Sequence, residues 1–268
     1  MVRQHAVNLL RLDGLYLDSG IEDSHRRRLN NIMYYGMQAN NAVIFQSEFS
    51  KKLYQEFWKR DHDTEEEQPE SMVIHNGVPD NYNPEDRTQN KKKTVVASAS
   101  WRRHKRLEEL VEAFKDPRLK NVNLFVLNGQ DYWKNREIPD NVVMHGRVHP
   151  NSLHRYYKAA DAMAHLCWLD SCPNSVVEAL ACGTPVLCSH NGGTKELVRT
   201  NGTIISLEET YKPGELVDLY NPPQVDTNTI VEGLLEVLEV PQGFSRPDLH
   251  INTIANSYLK AAEWAANL

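Results

Sequence analysis

The stretch Asp170-Ser-Cys-Pro-Asn-Ser-Val-Val-Glu178-Ala-Leu-Ala-Cys-Gly-Thr-Pro185, continued by Asn191-Gly-Gly-Thr-Lys-Glu196, decides the fold. It reads as loop, helix, tight turn, buried strand, glycine-rich loop and second helix. Asp170 or Ser171 is expected to cap the first helix, Pro173 to sit in its first turn and Gly183 to end it. Thr-Pro-Val-Leu-Cys188 is short, apolar and bounded by turn signals, the pattern of a fully buried parallel strand. The helix N-terminus turns backbone N–H groups and a partial positive charge toward the sheet edge, which favours an anion. Asp170 and Glu178 flank that position. Carboxylates repel phosphate, so their task is to accept hydrogen bonds from hydroxyls such as those of ribose or hexose. Anion and hydroxyls together point to a sugar nucleotide.

Outward from this stretch the pattern is regular. Strands are expected at 94–98, 122–127, 142–144, 162–166, 185–188 and 203–205, with helices between most of them. One helix carries Leu107, Leu110, Val111 and Phe114 at i, i+3, i+4 and i+7; another surrounds Leu153, Tyr156 and Tyr157. Six strands alternating with helices make a doubly wound parallel sheet, with ligands at the carboxyl ends of the strands. Before it, 6–12, 42–45 and 71–75 read as strands, and 23–39 and 47–58 as helices, the latter capped near Ser47 or Ser50. The polar run 80–93 is the best linker candidate. A last helix has Ile251, Ile254, Ala255, Tyr258, Leu259 and Ala262 on one face. The expected domains are therefore 1–90, shortened and including the linker, 91–250, which binds the nucleotide sugar, and 251–268, a helix packing back toward the first.

The 268 residues are 40% hydrophobic and 25% charged, an ordinary globular composition. A net charge of -6 argues against nucleic acid as the main partner, since phosphate-backbone binding needs a cationic face, but leaves room for a local basic pocket. No run of 18 apolar residues and no signal-peptide core occur, so the expectation is a cytoplasmic protein without an integral membrane segment, or one peripheral to a membrane. All four cysteines fall between Cys167 and Cys188 without C-x-x-C spacing. They read as buried free thiols rather than, with His165, a metal cluster.

Ser98-Ala-Ser-Trp-Arg-Arg-His-Lys-Arg106 is a strand end leading into a helix, with Arg102, Arg103, Lys105 and Arg106 packed into the turn. A basic cluster at the carboxyl end of a parallel strand can clamp a diphosphate, arginine by its fork and lysine as a point charge. It would stabilise the charge developing on a leaving diphosphate without a metal. Asp61-His-Asp63 has the D-x-D form used for manganese, but it sits in an acidic loop away from any strand end, and no metal is expected.

Residues 94–206 resemble the nucleotide-binding domain of family 4 glycosyltransferases, retaining enzymes with the GT-B fold of two Rossmann-like domains. That family's hallmark is E-x(7)-E followed by A-x-A-C-G-T-P-V, and residues 170–186 are similar to it throughout. The resemblance implies that Lys105, with Arg102 or Arg103, holds the donor diphosphate, that Glu178 binds the ribose hydroxyls, and that Asp170 stands where the first Glu contacts the donor sugar. The backbone at Cys172, Asn174 and Ser175 would meet the anion. Asn128-Gly129 and His145-Gly-Arg147-Val148 look like strand-end loops beside the base. Residues 73–79 resemble the segment that crosses between domains, and 41–49 a strand and helix of the N-terminal domain. Arg11-Leu-Asp13 resembles a strand end that often carries a His near the reacting sugar, with Asp13 in its place; Arg11 and Asp13 are expected as the opposite wall of the site, with Asp13 catalytic, and an Asp-Gly turn with a structural ion pair is the alternative.

Several residues depart from the family pattern. Asp170 replaces the first Glu, Ser100 stands where an Arg is usual, and Pro173 removes a backbone N–H where Gly is common. About 80 residues precede the linker, where the family has a domain about the size of the C-terminal one. The uncovered edges admit a minimal enzyme, a homodimer, or one part of a split enzyme with a partner subunit. The expected protein is a shortened GT-B hexosyltransferase. It would move a hexose from a nucleoside diphosphate sugar (UDP- or GDP-linked) to a hydroxyl acceptor on a glycan, lipid or polysaccharide precursor, with retention and no required cofactor. In that family the departing phosphate oxygen is taken to assist the acceptor, so no protein base is needed. The alternative is a nucleotide-sugar-binding protein, or a split-enzyme subunit inactive without its partner.

Overall fold

A computed structural model describes residues 7–17, 24–62 and 68–268. The N-terminal unit is a parallel sheet in the order β1-β2-β3, built from β1 (Leu9–Leu12), β2 (Ala42–Phe45) and β3 (Ser71–Val73). The helices α1 (Ser24–Gln38) and α2 (Glu48–His62) connect the strands. β2 is the central strand, so all four of its residues are buried, and the unbroken apolar run Ala-Val-Ile-Phe suits that place. Phe45 packs with Tyr34, Tyr54, Phe57 and Trp58 from the two helices. Ser47 and Ser50 cap α2 reciprocally, each amide donating to the other's hydroxyl at 3.2 and 3.0 Å.

The larger unit contains β4 (Thr94–Ser98), α3 (Leu107–Ala113), β5 (Asn123–Leu127), β6 (Val142–Met144), α4 (Pro150–Ala159) and β7 (Ala162–His165). It continues with α5 (Asn174–Ala181), β8 (Val186–Ser189), α6 (Thr194–Val198), β9 (Gly202–Ile205) and α7 (Thr227–Val237). The six strands are parallel in the order β6-β5-β4-β7-β8-β9. One apolar cluster lies beneath α3 and α7 and a second beneath α4, α5 and α6, so the sheet is covered on both faces. The strand order reverses between β4 and β7, the switch point where such sheets place their ligands. No helix among the described residues is long and apolar enough to cross a membrane.

Two chain crossings join the units. Val78 donates to the Leu249 carbonyl at 2.9 Å and accepts from Ile251 N–H at 2.8 Å. The final helix, α8 (Ile251–Ala265), then lays Ile254 and Ala261 against Ile44 and Ile74 of the N-terminal unit. Gly77 permits this: a Cβ there would meet Ile254 Cγ1 at 2.8 Å. The polar segment 80–93 is tied down. Tyr82 is buried, and the Arg87 guanidinium donates to the carbonyls of Cys182 and Ala160, to Thr184 Oγ1 and to Gln242 Oε1. A third contact crosses the interface: Glu196 of α6 accepts from the Glu48 and Phe49 amides at 2.7 and 2.8 Å, capping α2 from the other unit.

One expectation is corrected. Asp170 and Ser171 do not cap α5, which begins at Asn174 with Pro173 as its N-cap and no side-chain bond there. The Asp170 carboxylate is drawn elsewhere, to a lysine. Gly183, at φ +70°, ends the helix as expected.

Candidate active site

The carboxyl ends of β4 and β7 open on two neighbouring cavities. One, of about 390 Å³, lies within the larger unit and is lined by Ser98, Arg102, Lys105, Asn128, Ser175 and Glu178 among others. The other, of about 730 Å³, lies between the units and is lined by Arg11, Asp13, Gln46, His75, Asn76 and Tyr258 among others. Asp170 and Asn174 line both, so the motif that begins at Asp170 stands at their junction.

After β4 the chain makes a 3-10 turn over Arg103–Lys105. Its basic residues part company. Lys105 Nζ reaches Asp170 Oδ2 at 2.5 Å, with both side chains largely buried. Arg102 is exposed at the mouth of the smaller cavity. Arg103 turns to Glu109 at 2.6 Å and lines neither cavity. Arg106 adopts φ +56°, and its fully buried guanidinium pairs with Glu208 at 2.7 Å. Glu208 also accepts from Ser189 Oγ and Asn191 Nδ2. Arg106 therefore anchors the turn from beneath rather than facing a ligand.

Burial alone would raise the Asp170 pKa, but His165 and Lys105 outweigh it and hold the carboxyl well below the usual range. For Lys105, burial opposes the charge, and Cys167 and Asp170 more than restore it. Glu178 has no such partner. Burial pushes its carboxyl up to about 6, partly offset by the nearby Tyr157 hydroxyl. The two carboxylates of one motif thus sit in opposite environments. The loop that carries Asp170 is held by Gly193, whose amide donates to the Asp170 carbonyl at 2.8 Å. A Cβ on Gly193 would come within 2.1 Å of the Ser171 carbonyl oxygen. The glycine pair thus shapes the motif loop, while Glu196 serves the interface.

Asn174 and Ser175 bring the first turn of α5 to the smaller cavity, where its unpaired amides can receive an anion. Asn128, at φ +58°, accepts from Val148 N–H at 2.9 Å and so joins the two strand-end loops. Gly129 is there for close approach, since a Cβ would meet Val126 Cγ1 at 2.5 Å. Gly129, Arg147 and Val148 do not line either cavity. Cys172 lines the larger one, with its thiol pushed up to about 12 by burial.

Across the cleft, Arg11 pairs with Asp13 at 2.7 Å and donates to Asn76 Oδ1 at 2.6 Å. Gln46 Nε2 donates to Asp13, and Asn76 Nδ2 donates to the Cys172 carbonyl and to Asn174 Oδ1. The pair is thus both a structural ion pair and a wall of the larger cavity. Gln46, His75, Asn76 and Tyr258 were not expected as site residues: the first three fall within the stretches 41–49 and 73–79, and Tyr258 on the apolar face of the last helix. Asp63 lies outside the described residues. The cysteines are free and buried. His165, Cys167 and Asp170 bring one donor atom each within 4.8 Å of one another, but the Lys105 ammonium is already the cation beside them.

The sequence profile of "Glycosyl transferases group 1" matches residues 80–221. Among curated proteins, none matches the sequence. Several solved structures match the fold. Sucrose-phosphate synthase from Thermosynechococcus elongatus is 17% identical, with a TM-score of 0.68 over 96% of this chain and 67% of that one. HepE of Anabaena, in complex with UDP and glucose, is 18% identical, with a TM-score of 0.63 over 95% and 71%. The GtfA/B complex is 12% identical, with a TM-score of 0.66 over 90% and 48%.

Proposed function

This chain belongs to the glycosyl transferases group 1 and has the GT-B architecture of two facing Rossmann-like sheets, and from that premise we propose a retaining, metal-independent hexosyltransferase of the family 4 type. The donor is a nucleoside diphosphate sugar in the smaller cavity, and the acceptor hydroxyl enters from the larger one. The observation that carries the reading is the Lys105–Asp170 pair at the strand-order reversal, at the junction of both cavities and beside Glu178.

Lys105 and Arg102 hold the diphosphate together with the first-turn amides of α5. Glu178 accepts hydrogen bonds from the ribose hydroxyls, and Asp170 from a hydroxyl of the donor sugar. As the bond from C1 to the phosphate oxygen breaks, charge develops on the diphosphate, where the lysine and arginine stabilise it. The acceptor oxygen bonds to C1 on the same face, and its proton passes to the departing phosphate oxygen. Asp13 and Arg11 form the opposite wall, where the acceptor is oriented. The likeness to HepE, solved with UDP and glucose, makes a uridine nucleotide the first donor to try. A second reading, a donor-binding subunit that needs a partner, is supported by the likeness to the GtfA/B complex.

The test is a thermal-shift panel with UDP, GDP, ADP, dTDP and CDP, each with and without manganese, followed by turnover with the matching sugar nucleotide. A ligand at a hundredfold over its Kd adds about 2.7 kcal/mol. One diphosphate is expected to stabilise the protein without manganese and to lose that effect in Lys105→Ala. Stabilisation only with manganese refutes the metal-independent site, and binding without turnover favours the subunit reading.

A further inference from the structure

Two histidines at the smaller cavity, His104 and His165, have no task in the scheme above. His165 is the last residue of β7 and is buried. Its Nε2 lies 3.4 Å from Asp170 Oδ2, the oxygen that Lys105 Nζ holds at 2.5 Å, and it has no formed hydrogen bond among the described residues. One carboxylate oxygen is thus bracketed by two basic groups, the lysine in close contact at 2.5 Å and the imidazole in a longer one at 3.4 Å.

That arrangement has a consequence once a donor enters. A diphosphate draws the flexible Lys105 side chain, which already lines the donor cavity. Asp170 would then be a largely buried carboxylate beside an anion with its cation gone, a state that is strongly disfavoured. The group placed to restore a positive charge at Oδ2 is the waiting imidazole. Resting on the donor reading above, we infer that His165 is a positioning residue: when Lys105 turns to the diphosphate, His165 takes one proton from solvent, replaces the lysine at Asp170 and holds that carboxylate for the donor sugar.

The groups facing His165 allow this. From the turn after β4 come Lys105 and His104; from the segment after β7 come Cys167 and Asp170; Cys188 on β8 is its register partner. Burial pushes both thiols up to about 12, so they stay neutral. His104 is held down to about 4 by burial and by Lys105, and the geometry favours His165, which alone of the two histidines stands against Asp170 Oδ2. Burial disfavours the His165 cation in the free protein, with Lys105 adding to that and Asp170 opposing it. Moving the lysine away removes an unfavourable contribution and leaves the favourable one.

The test is calorimetric titration with UDP-glucose and GDP-mannose, whose phosphates do not titrate near neutrality, in buffers of different ionisation heat at about pH 7.5. There Glu178 is already ionised. About one proton is expected to be taken up per donor bound, with Kd weakening by up to about tenfold per pH unit above neutrality. His165→Asn should bind with no uptake and a flat pH profile, whereas His104→Asn should keep the uptake. Histidine 15N NMR of the unsubstituted protein gives a second reading, with one imidazole becoming imidazolium on donor addition. Binding without uptake, uptake that survives His165→Asn, or no new imidazolium signal overturns the inference alone. Failure of every sugar nucleotide to bind overturns the donor reading and this inference with it.

Discussion

Glu178→Gln separates stability from function at one atom. Burial pushes this carboxyl from an ordinary 4.5 up to about 6, and each tenfold change in proton affinity is worth about 1.4 kcal/mol. At about pH 8 the side chain is ionised in both folded and unfolded chains, and the folded environment penalises it by about 2 kcal/mol. Below about pH 4 it is protonated in both, and the penalty vanishes. The cost therefore appears as pH rises from about 4.5 to about 6, the reverse of a salt-bridged carboxylate. Glutamine is uncharged and close to the same size, so it should stabilise the protein by about 2 kcal/mol at pH 8 and by almost nothing at pH 4. Urea denaturation at the two pH values measures this. The same change removes a charged acceptor for the ribose hydroxyls, worth about 1.5–3 kcal/mol, and should weaken donor binding by about tenfold or more. A variant no more stable at pH 8, or one equally stabilised at both pH values, refutes the electrostatic account. Unchanged donor affinity refutes the ribose contact.

Arg106→Met leaves Glu208 buried without its cation and should destabilise the protein by about 3–5 kcal/mol; Arg106→Met with Glu208→Met should recover most of that, and additive losses in urea denaturation would refute the pairing. Glu196→Ala removes the cap of α2 across the interface and should cost about 0.5–2 kcal/mol, with faster proteolysis near Glu48. Unchanged proteolysis and stability would mean that the capping contact contributes nothing.

What could be read from the chain was what local chemistry dictates. Apolar runs bounded by turn residues placed the strands, because a strand buried on both faces tolerates little else. Asp170 and Glu178 were recognisable because their spacing spans one loop and one helix. Capping by Asp170 was the reasonable local reading, but a carboxylate chooses between amides and an ammonium, and Lys105 arrives from 65 residues earlier. The four cations of the turn after β4 are equivalent in sequence and distinct in space. Arg106 is claimed by Glu208, which is 102 residues away, and Arg103 by Glu109 of the helix α3 that follows the turn. The wall made by Arg11, Gln46 and Asn76 is assembled from three separate elements, so no spacing rule could reveal it.

The opposite environments of Asp170 and Glu178 follow from one geometric fact. Both belong to a motif at the reversal of strand order, but Asp170 lies in the loop facing the turn from β4, whereas Glu178 is a turn and more into α5. The loop position meets a cation and the helix position meets Tyr157 and apolar packing. On the donor reading, this makes the empty site self-neutralised at Lys105. Arg102 and the α5 N-terminus are then left as the groups a diphosphate meets first, and Asp170 becomes available to the sugar only after the lysine has been drawn away. Binding of the diphosphate and presentation of the sugar contact are thereby coupled through a single ion pair, so a ligand without a diphosphate should engage the site poorly even where its sugar is correct.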